Sequence, residues 1–277
     1  MGAAQSTDEV MRSSTLAATM RSIARSKGNA GLHVKVAGDA DVTYEQAQAF
    51  EFANWYDVPG KDWEAFKRNR PYSIKGHECR APSIGAKAPN GAVLSLDEGR
   101  APSTLHKAID AAAKDSGVVA LIFGSLSCPV WRGWAALDLH NDVTAAGIPA
   151  LHVYQKEAHA AGEFEHKNNL EGPIALRTPQ PPHANEAARR TAAKRAKAHL
   201  EAQLWWEQPP FSARPRITMV LDGMDDKLEA AYESRPFRLY LVEAASKKVV
   251  HSSSLAPFNM DAKRAELKAC LEQLKKV

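Results

Sequence analysis

Cysteine is scarce in this chain of 277 residues, with three in all, Cys79, Cys128 and Cys270, an odd number of which no two are close. That excludes a disulfide scaffold and a Cys-rich zinc module, and it makes a reducing compartment, cytoplasmic or organellar, the expectation. Long apolar runs are lacking too. The longest, VVALIF at Val118–Phe123, falls far short of the roughly 18 residues that a membrane-spanning helix needs, so a soluble protein is expected. Charge of one sign is not in excess either: 36 Lys and Arg stand against 32 Asp and Glu, a net +4, with only 7% aromatic residues. Nucleic acid is therefore not an expected partner. No His or Cys pair has a zinc-ligand spacing with a third ligand nearby, so neither a metal nor a bound cofactor is expected. What the chain does have is 44% hydrophobic residues, enough for a sizeable core in one or two domains.

The chain divides by composition. Residues 1–42 are Ser-rich and lean in apolar side chains, and read as a disordered or targeting tail. Met1-Gly2-Ala3-Ala4-Gln5-Ser6 fits the pattern for myristoylation of Gly2. Met11 to Lys27 carries Arg12, Arg21 and Arg25 among Ser, Ala and Thr, the composition of an organelle transit peptide, behind Asp8 and Glu9. Residues 43–82 read as a helical, aromatic extension and a linker. Tyr44, Phe50, Phe52, Trp55, Tyr56, Trp63 and Phe66 supply an apolar face for the following domain or a partner, and Asp57-Val58-Pro59-Gly60 breaks it between two short helical patterns. Because the segment is charged throughout, peripheral contact with a membrane is the most it allows.

From residue 83 to 277 strands and helices alternate. Ala92–Leu96 reads as a strand and Pro102–Lys114 as a helix with its proline in the first turn. Gly117–Phe123 is a continuous β-branched apolar run, the mark of a strand buried on both faces. Pro129–Ala146 reads as a helix and Ala150–Tyr154 as a second buried strand, which completes a parallel βαβ unit. Ala184–Trp206 is a long helix whose basic stretch, Arg189–Lys197, reads as a solvated face. Ile217–Leu221 and Phe237–Val242 are strands, Lys248–His251 a hairpin partner, and Asp261–Lys275 a closing helix with Leu267, Leu271 and Leu274 on one stripe. The expected class is α/β: a thioredoxin-like fold, a central mixed sheet flanked by helices, with an N-terminal helical extension.

One cysteine stands where such a fold does chemistry. In GSLSCPVW, Cys128 follows a buried strand and precedes Pro129, a residue favoured in the first turn of a helix. Unpaired backbone N–H groups and the positive end of the helix dipole favour thiolate over thiol there. Ser125 and Ser127 are placed to add hydroxyl donors. The residues three before and three after Cys128 are Ser125 and Trp131, so there is no local C-x-x-C switch, and turnover would require an external thiol or a distant cysteine. Cys270 reads as a core residue.

Several ordered blocks resemble the iodothyronine deiodinases, thioredoxin-fold selenoenzymes that remove iodine reductively from thyroid hormones. IGAKAPNGAVLSLDEG is similar to the family's entry hairpin. LIFGSLSCPVW is similar to its active-site block, with Cys128 at the selenocysteine position. VYQKEAH, PQPPHANEAAR and LDGMDDKLEAAYESRPFRLY follow in the family's order. The resemblance implies that Cys128 attacks the iodine of an iodothyronine or another halogenated aromatic and that an external thiol clears the sulfenyl iodide. Glu157 and His159 would belong to the E-A-H motif, His159 as proton donor, with His183, Ser125 and Ser127 as the hydrogen-bonding shell. His159, Arg238 and Pro236 would face the substrate, and Pro236 would follow a cis Arg235–Pro236 bond. A homodimer is implied as well. The sequence departs from the family at Leu126, where many members keep a cysteine, and at Phe237, where the family has an acidic residue before R-L-Y. The SSSLAPFN turn lacks the family's carboxylate-binding arginine, and the family's membrane anchor is also missing. Two other readings stand beside this one: a one-cysteine peroxidase resembling peroxiredoxins, with Cys128 oxidised to a sulfenic acid, and a catalytically silent subunit serving as an interaction module.

Overall fold

The computed structural model describes residues 33–36, 40–43, 56–57, 81–101, 103–113, 116–129, 131–162, 165–166, 169, 176, 180–207, 216–253 and 260–274. The myristoylation pattern at Gly2, the Met11–Lys27 stretch, Cys79 and nearly all of the aromatic extension lie outside the described residues. Two strands, β1 (His33–Val36) and β2 (Ala40–Thr43), pair antiparallel at the end of the stretch expected to be a disordered tail, β2 running one residue into the extension. The β-branched Val34, Val36, Val42 and Thr43 suit that conformation. Within the extension expected to be helical, β3 (Tyr56–Asp57) is a strand and pairs with β8 (Glu165–His166).

The main sheet is built from β4 (Ala92–Leu94), β5 (Ser103–Thr104), β6 (Val118–Gly124), β7 (Ala150–Tyr154), β9 (Thr218–Asp222), β10 (Arg238–Glu243) and β11 (Val249–Ser252). Its order is β11-β10-β6-β7-β9-β4-β5. The β6–β7 and β7–β9 pairs are parallel, and the remaining pairs are antiparallel. The helices are α1 (Leu105–Ala113), α2 (Ala136–Ala145, entered through a π-helical turn at Trp131–Ala135), α3 (Glu186–Glu207), α4 (Lys227–Tyr232) and α5 (Met260–Leu274).

Period-two alternation in the strands divides the interior into two layers. Val119, Leu121 and Phe123 of β6 pack with Leu105 and Ile109 of α1 and with Leu228 and Tyr232 of α4. Ala120 and Ile122 face the other way, onto α2, Ala196 and Leu200 of α3, and Leu267 and Leu271 of α5. This is the expected thioredoxin-like α/β arrangement, a mixed sheet between helices. It differs from the sequence reading at three places. Helix α1 begins only at Leu105, because the strand Ser103–Thr104 takes up the residues after Pro102. Helix α4 was not anticipated; it is six residues long and is held by Asp222, whose carboxylate accepts the N–H groups of Leu228 at 3.2 Å and Glu229 at 2.8 Å. Cys270 is only partly buried at the edge of the core. Among the described residues no helix is long and apolar enough to cross a membrane.

Candidate active site

Strand β6 ends at Gly124, and the chain turns through Ser125, Leu126 and Ser127 to Cys128 before Pro129 opens the helix. A Cβ on Gly124 would come within 2.2 Å of the Trp131 indole, so the absent side chain is what lets Trp131 lie against the strand. In that position the Trp131 backbone N–H points at Cys128 Sγ, 3.5 Å away, and the Arg132 backbone N–H donates to the Cys128 carbonyl at 3.1 Å. The thiol thus stands at the opening of the helix, where backbone donors favour its anion. Cys128 is 1% exposed and forms no disulfide. Cys270 is the other described cysteine; burial raises its thiol, whose S–H points to the Val250 carbonyl at 3.9 Å.

The turn is clamped to the loop after β7. Ser127 N–H donates to Glu157 Oε2 at 2.7 Å, His159 N–H to Ser127 Oγ at 3.0 Å, and Ala158 N–H to Ser125 Oγ at 3.0 Å. The two serine hydroxyls therefore accept bonds from the E-A-H backbone and retain their own protons to donate. The Tyr154 hydroxyl donates to Glu157 Oε1, and His183 Nε2 lies 3.2 Å from the same oxygen. Arg189 Nε donates to His183 Nδ1 at 3.2 Å; since arginine has no acceptor, Nδ1 must accept, which leaves the ring proton on Nε2, aimed at Glu157. Burial works to raise the Glu157 carboxyl but is outweighed by these bonds from His183, Ser127 and Tyr154, so it lies below the usual carboxylate range. Tyr154 moves up, through burial first and then through Glu157, and keeps its proton.

Four of the residues that complete the site were not legible in the sequence. Tyr154 was read only as the end of a buried strand. Arg189, placed on the solvated face of α3, is instead 2% exposed. Its guanidinium also donates to the Asp222 carbonyl at 3.2 Å and to Asp226 Oδ1 at 2.8 Å. Gln155 joins the turn to the loop before β10: its N–H donates to the Gly124 carbonyl at 3.1 Å, its Nε2 to the Pro236 carbonyl at 3.2 Å, and Ser234 Oγ donates to its Oε1 at 2.6 Å. Arg132 lies buried under the turn. The signal available for Tyr154 and Gln155 was their place in VYQKEAH; the two arginines carried none, because most of their partners are backbone carbonyls, which no motif marks, or side chains more than 30 residues away.

The predicted residues do not all converge. Ser125, Ser127, Cys128, Glu157 and His159 are buried together, and half-buried His183 joins them through Glu157. Pro236, after a cis Arg235–Pro236 bond, borders it through Gln155. Arg238 is drawn elsewhere. It stands opposite Phe123 in the sheet, on the face of α1 and α4, with its guanidinium 5.2 Å from the Tyr240 ring centre and Nε donating to the Ser253 carbonyl at 2.9 Å. These contacts hold the guanidinium between β10 and β11, and none of them is with Cys128, Glu157 or His183. Phe237, in the place of the acidic residue, is buried in the apolar core with Leu239. Among the described residues no group of His, Cys, Asp or Glu is arranged to hold a metal ion.

No family model and no curated protein matches the chain. Among solved structures, a hypothetical protein from Sinorhizobium meliloti 1021 matches with 16% identity over 70% of this chain and 86% of its own, at a TM-score of 0.39. The thioredoxin domain of a thiol-disulfide oxidoreductase from Bacteroides vulgatus matches with 14% identity over 67% of this chain and 99% of its own, at 0.35. Peroxidoxin BcpB from Mycobacterium tuberculosis matches with 12% identity over 69% of this chain and 97% of its own, at 0.37. At such identities and scores the chemistry has to be argued from the site itself.

Proposed function

We propose that the protein is a thiol oxidoreductase with Cys128 as its reacting group, and that its reaction is reductive dehalogenation of an iodinated or otherwise halogenated aromatic. The observation that carries the reading is the setting of the thiol: Cys128 stands just before a helix, receives the Trp131 backbone N–H at its sulfur, and follows a residue pinned by a hydrogen-bonded buried carboxylate. The thiolate takes the halogen from carbon, forming an S–halogen bond as the carbon–halogen bond breaks, and the carbon takes up a proton, for which His159 is the proposed donor. An external thiol then displaces halide from sulfur to give a mixed disulfide. A second thiol releases Cys128 and leaves as the disulfide, so two thiols are oxidised for each halogen removed. Glu157, His183, Ser125 and Ser127 hold the site, and no bound cofactor takes part.

A second reading is favoured by burial. With Cys128 1% exposed, a small electrophile such as a peroxide reaches it more readily than a bulky halogenated aromatic does, and the product would be a sulfenic acid cleared by the same external thiols. One comparison separates the readings: iodide release from thyroxine and from simple iodophenols, and consumption of hydrogen peroxide, each with excess dithiothreitol, by the protein and by Cys128→Ser. Iodide release abolished in the variant supports dehalogenation. Peroxide consumption alone moves the assignment to the peroxidase, and neither activity makes the chain an interaction module.

A further inference from the structure

The nucleophile's turn contains an electrostatic problem. Glu157 is held as a carboxylate and bonds to Ser127, the neighbour of Cys128. A buried negative charge so close to a thiol opposes its ionisation. The titratable and charged groups linked to the Cys128 turn are Tyr154 from β7, Glu157 and His159 from the loop that follows, His183 from the approach to α3, Arg132 from the helix after Cys128, and His199 of α3, whose Nε2 lies 3.1 Å from the Arg132 carbonyl. Of these Arg132 is the permanent cation. It is wholly buried, and the two protons of Nη1 are shared among three oxygens within hydrogen-bonding distance: the carbonyl of Leu126 at 3.0 Å, the carbonyl of Ser127 at 3.2 Å, and Asn169 Oδ1 at 2.7 Å. Asn169 in turn donates from Nδ2 to the His159 carbonyl at 3.3 Å, so the guanidinium is linked to both halves of the site. Burial brings Arg132 down to about 10, while the charges of Cys128 and Glu157 hold it up, and it stays a cation at neutral pH.

We propose that Arg132 is a positioning residue for the thiol: its buried guanidinium ties the Cys128 turn to the His159 loop through Asn169 and supplies the positive charge that offsets Glu157 and favours the Cys128 thiolate. The assignment rests on Cys128 being the reacting thiol, but its test reads the sulfur and not turnover. The rate of Cys128 alkylation by iodoacetamide is followed against pH in the full chain, with Cys128→Ser as the blank for the other cysteines.

In the unmodified protein the midpoint lies below the ordinary thiol value of about 8.5. Arg132→Met raises it by about one unit or more, so that alkylation at pH 7 slows about tenfold, whereas Arg132→Lys, which keeps the charge, leaves the midpoint close to the original. An unshifted midpoint in a folded Arg132→Met protein, or an equal rise in Arg132→Lys, overturns the proposal. Should Arg132→Met fail to fold, Glu157→Gln in the Arg132 protein takes its place: removing the opposing carboxylate must lower the midpoint, and an unmoved or raised one refutes the assignment. Dehalogenation or peroxide turnover that needs Cys128 while the midpoint ignores Arg132 leaves the function standing without this inference. A low midpoint that depends on Arg132, without turnover of either substrate, leaves the inference standing without the function.

Discussion

Glu157 and Glu229 are both buried acids within reach of the loop after β7, yet burial is overcome at one and prevails at the other. Glu157 has donors in contact: Ser127 N–H at 2.7 Å, His183 at 3.2 Å, and the Tyr154 hydroxyl. Glu229 has only cations at a distance, Arg235 at 3.7 Å and Lys156 at 3.8 Å, and its Oε2 has no hydrogen-bond partner. Burial therefore lifts Glu229 to about 7, while Glu157 stays low. Asp222 lies between the two cases: two N–H groups from α4 meet it, but burial remains the larger influence and lifts it to about 6. A nearby positive charge does not make up for lost water unless a donor touches the oxygen.

The sharpest way to break this contrast is Glu157→Ala. It strands the Ser127 N–H, the Tyr154 hydroxyl and His183 in a dry site, and should cost about 3 kcal/mol or more in urea unfolding. Glu229→Gln should do the reverse at alkaline pH. The folded carboxyl of Glu229 is raised above its unfolded value, so the stability it confers is full below about pH 4.5 and is lost as the pH rises through about 7. Replacement by Gln should recover about 2 kcal/mol at pH 8, seen as a smaller difference between urea midpoints at pH 5 and pH 8 than in the unmodified protein. Tyr154→Phe removes one of the Glu157 donors and should cost about 1 kcal/mol, again by urea unfolding. Smallest is Lys156→Met: the side chain is 37% exposed and its partners Asp226 and Glu229 are 3.4 and 3.8 Å away, so less than about 1 kcal/mol is expected, shrinking further in high salt. An effect as large as that of Glu157→Ala would mean that distant cations matter as much as donors in contact.

The same distinction explains what was legible in the sequence. β6, β7 and the helix opened by Pro129 follow from runs of neighbouring residues, and those runs carry Cys128 to its place. Glu157, His159 and His183 were singled out because they stand in blocks that resemble those of a known family. Arg132 was invisible because its oxygens belong to Leu126, Ser127 and the distant Asn169. Arg189 was misread because basic residues on an Ala-rich helix usually face water; here the carbonyl end of β9 and His183 draw one of them inward. Helix α4 was missed because six residues make too short a pattern, and its start is fixed by Asp222 from the preceding strand. Arg238 was given to the substrate on resemblance alone; what the alternation of β10 makes legible is only that it shares a face of the sheet with Tyr240.

The contact between Gly124 and Trp131 ties two positions into one inherited choice. A methyl group at 124 would overlap the indole at 2.2 Å, and the residue that would have to move is the one whose amide faces the Cys128 sulfur. A lineage could exchange the aromatic residue for a small one and then accept a side chain on the strand, but not in the opposite order without disturbing its nucleophile. The cheapest-looking mutation on β6, one methyl group added at its last residue, is thus barred until its neighbour has changed first.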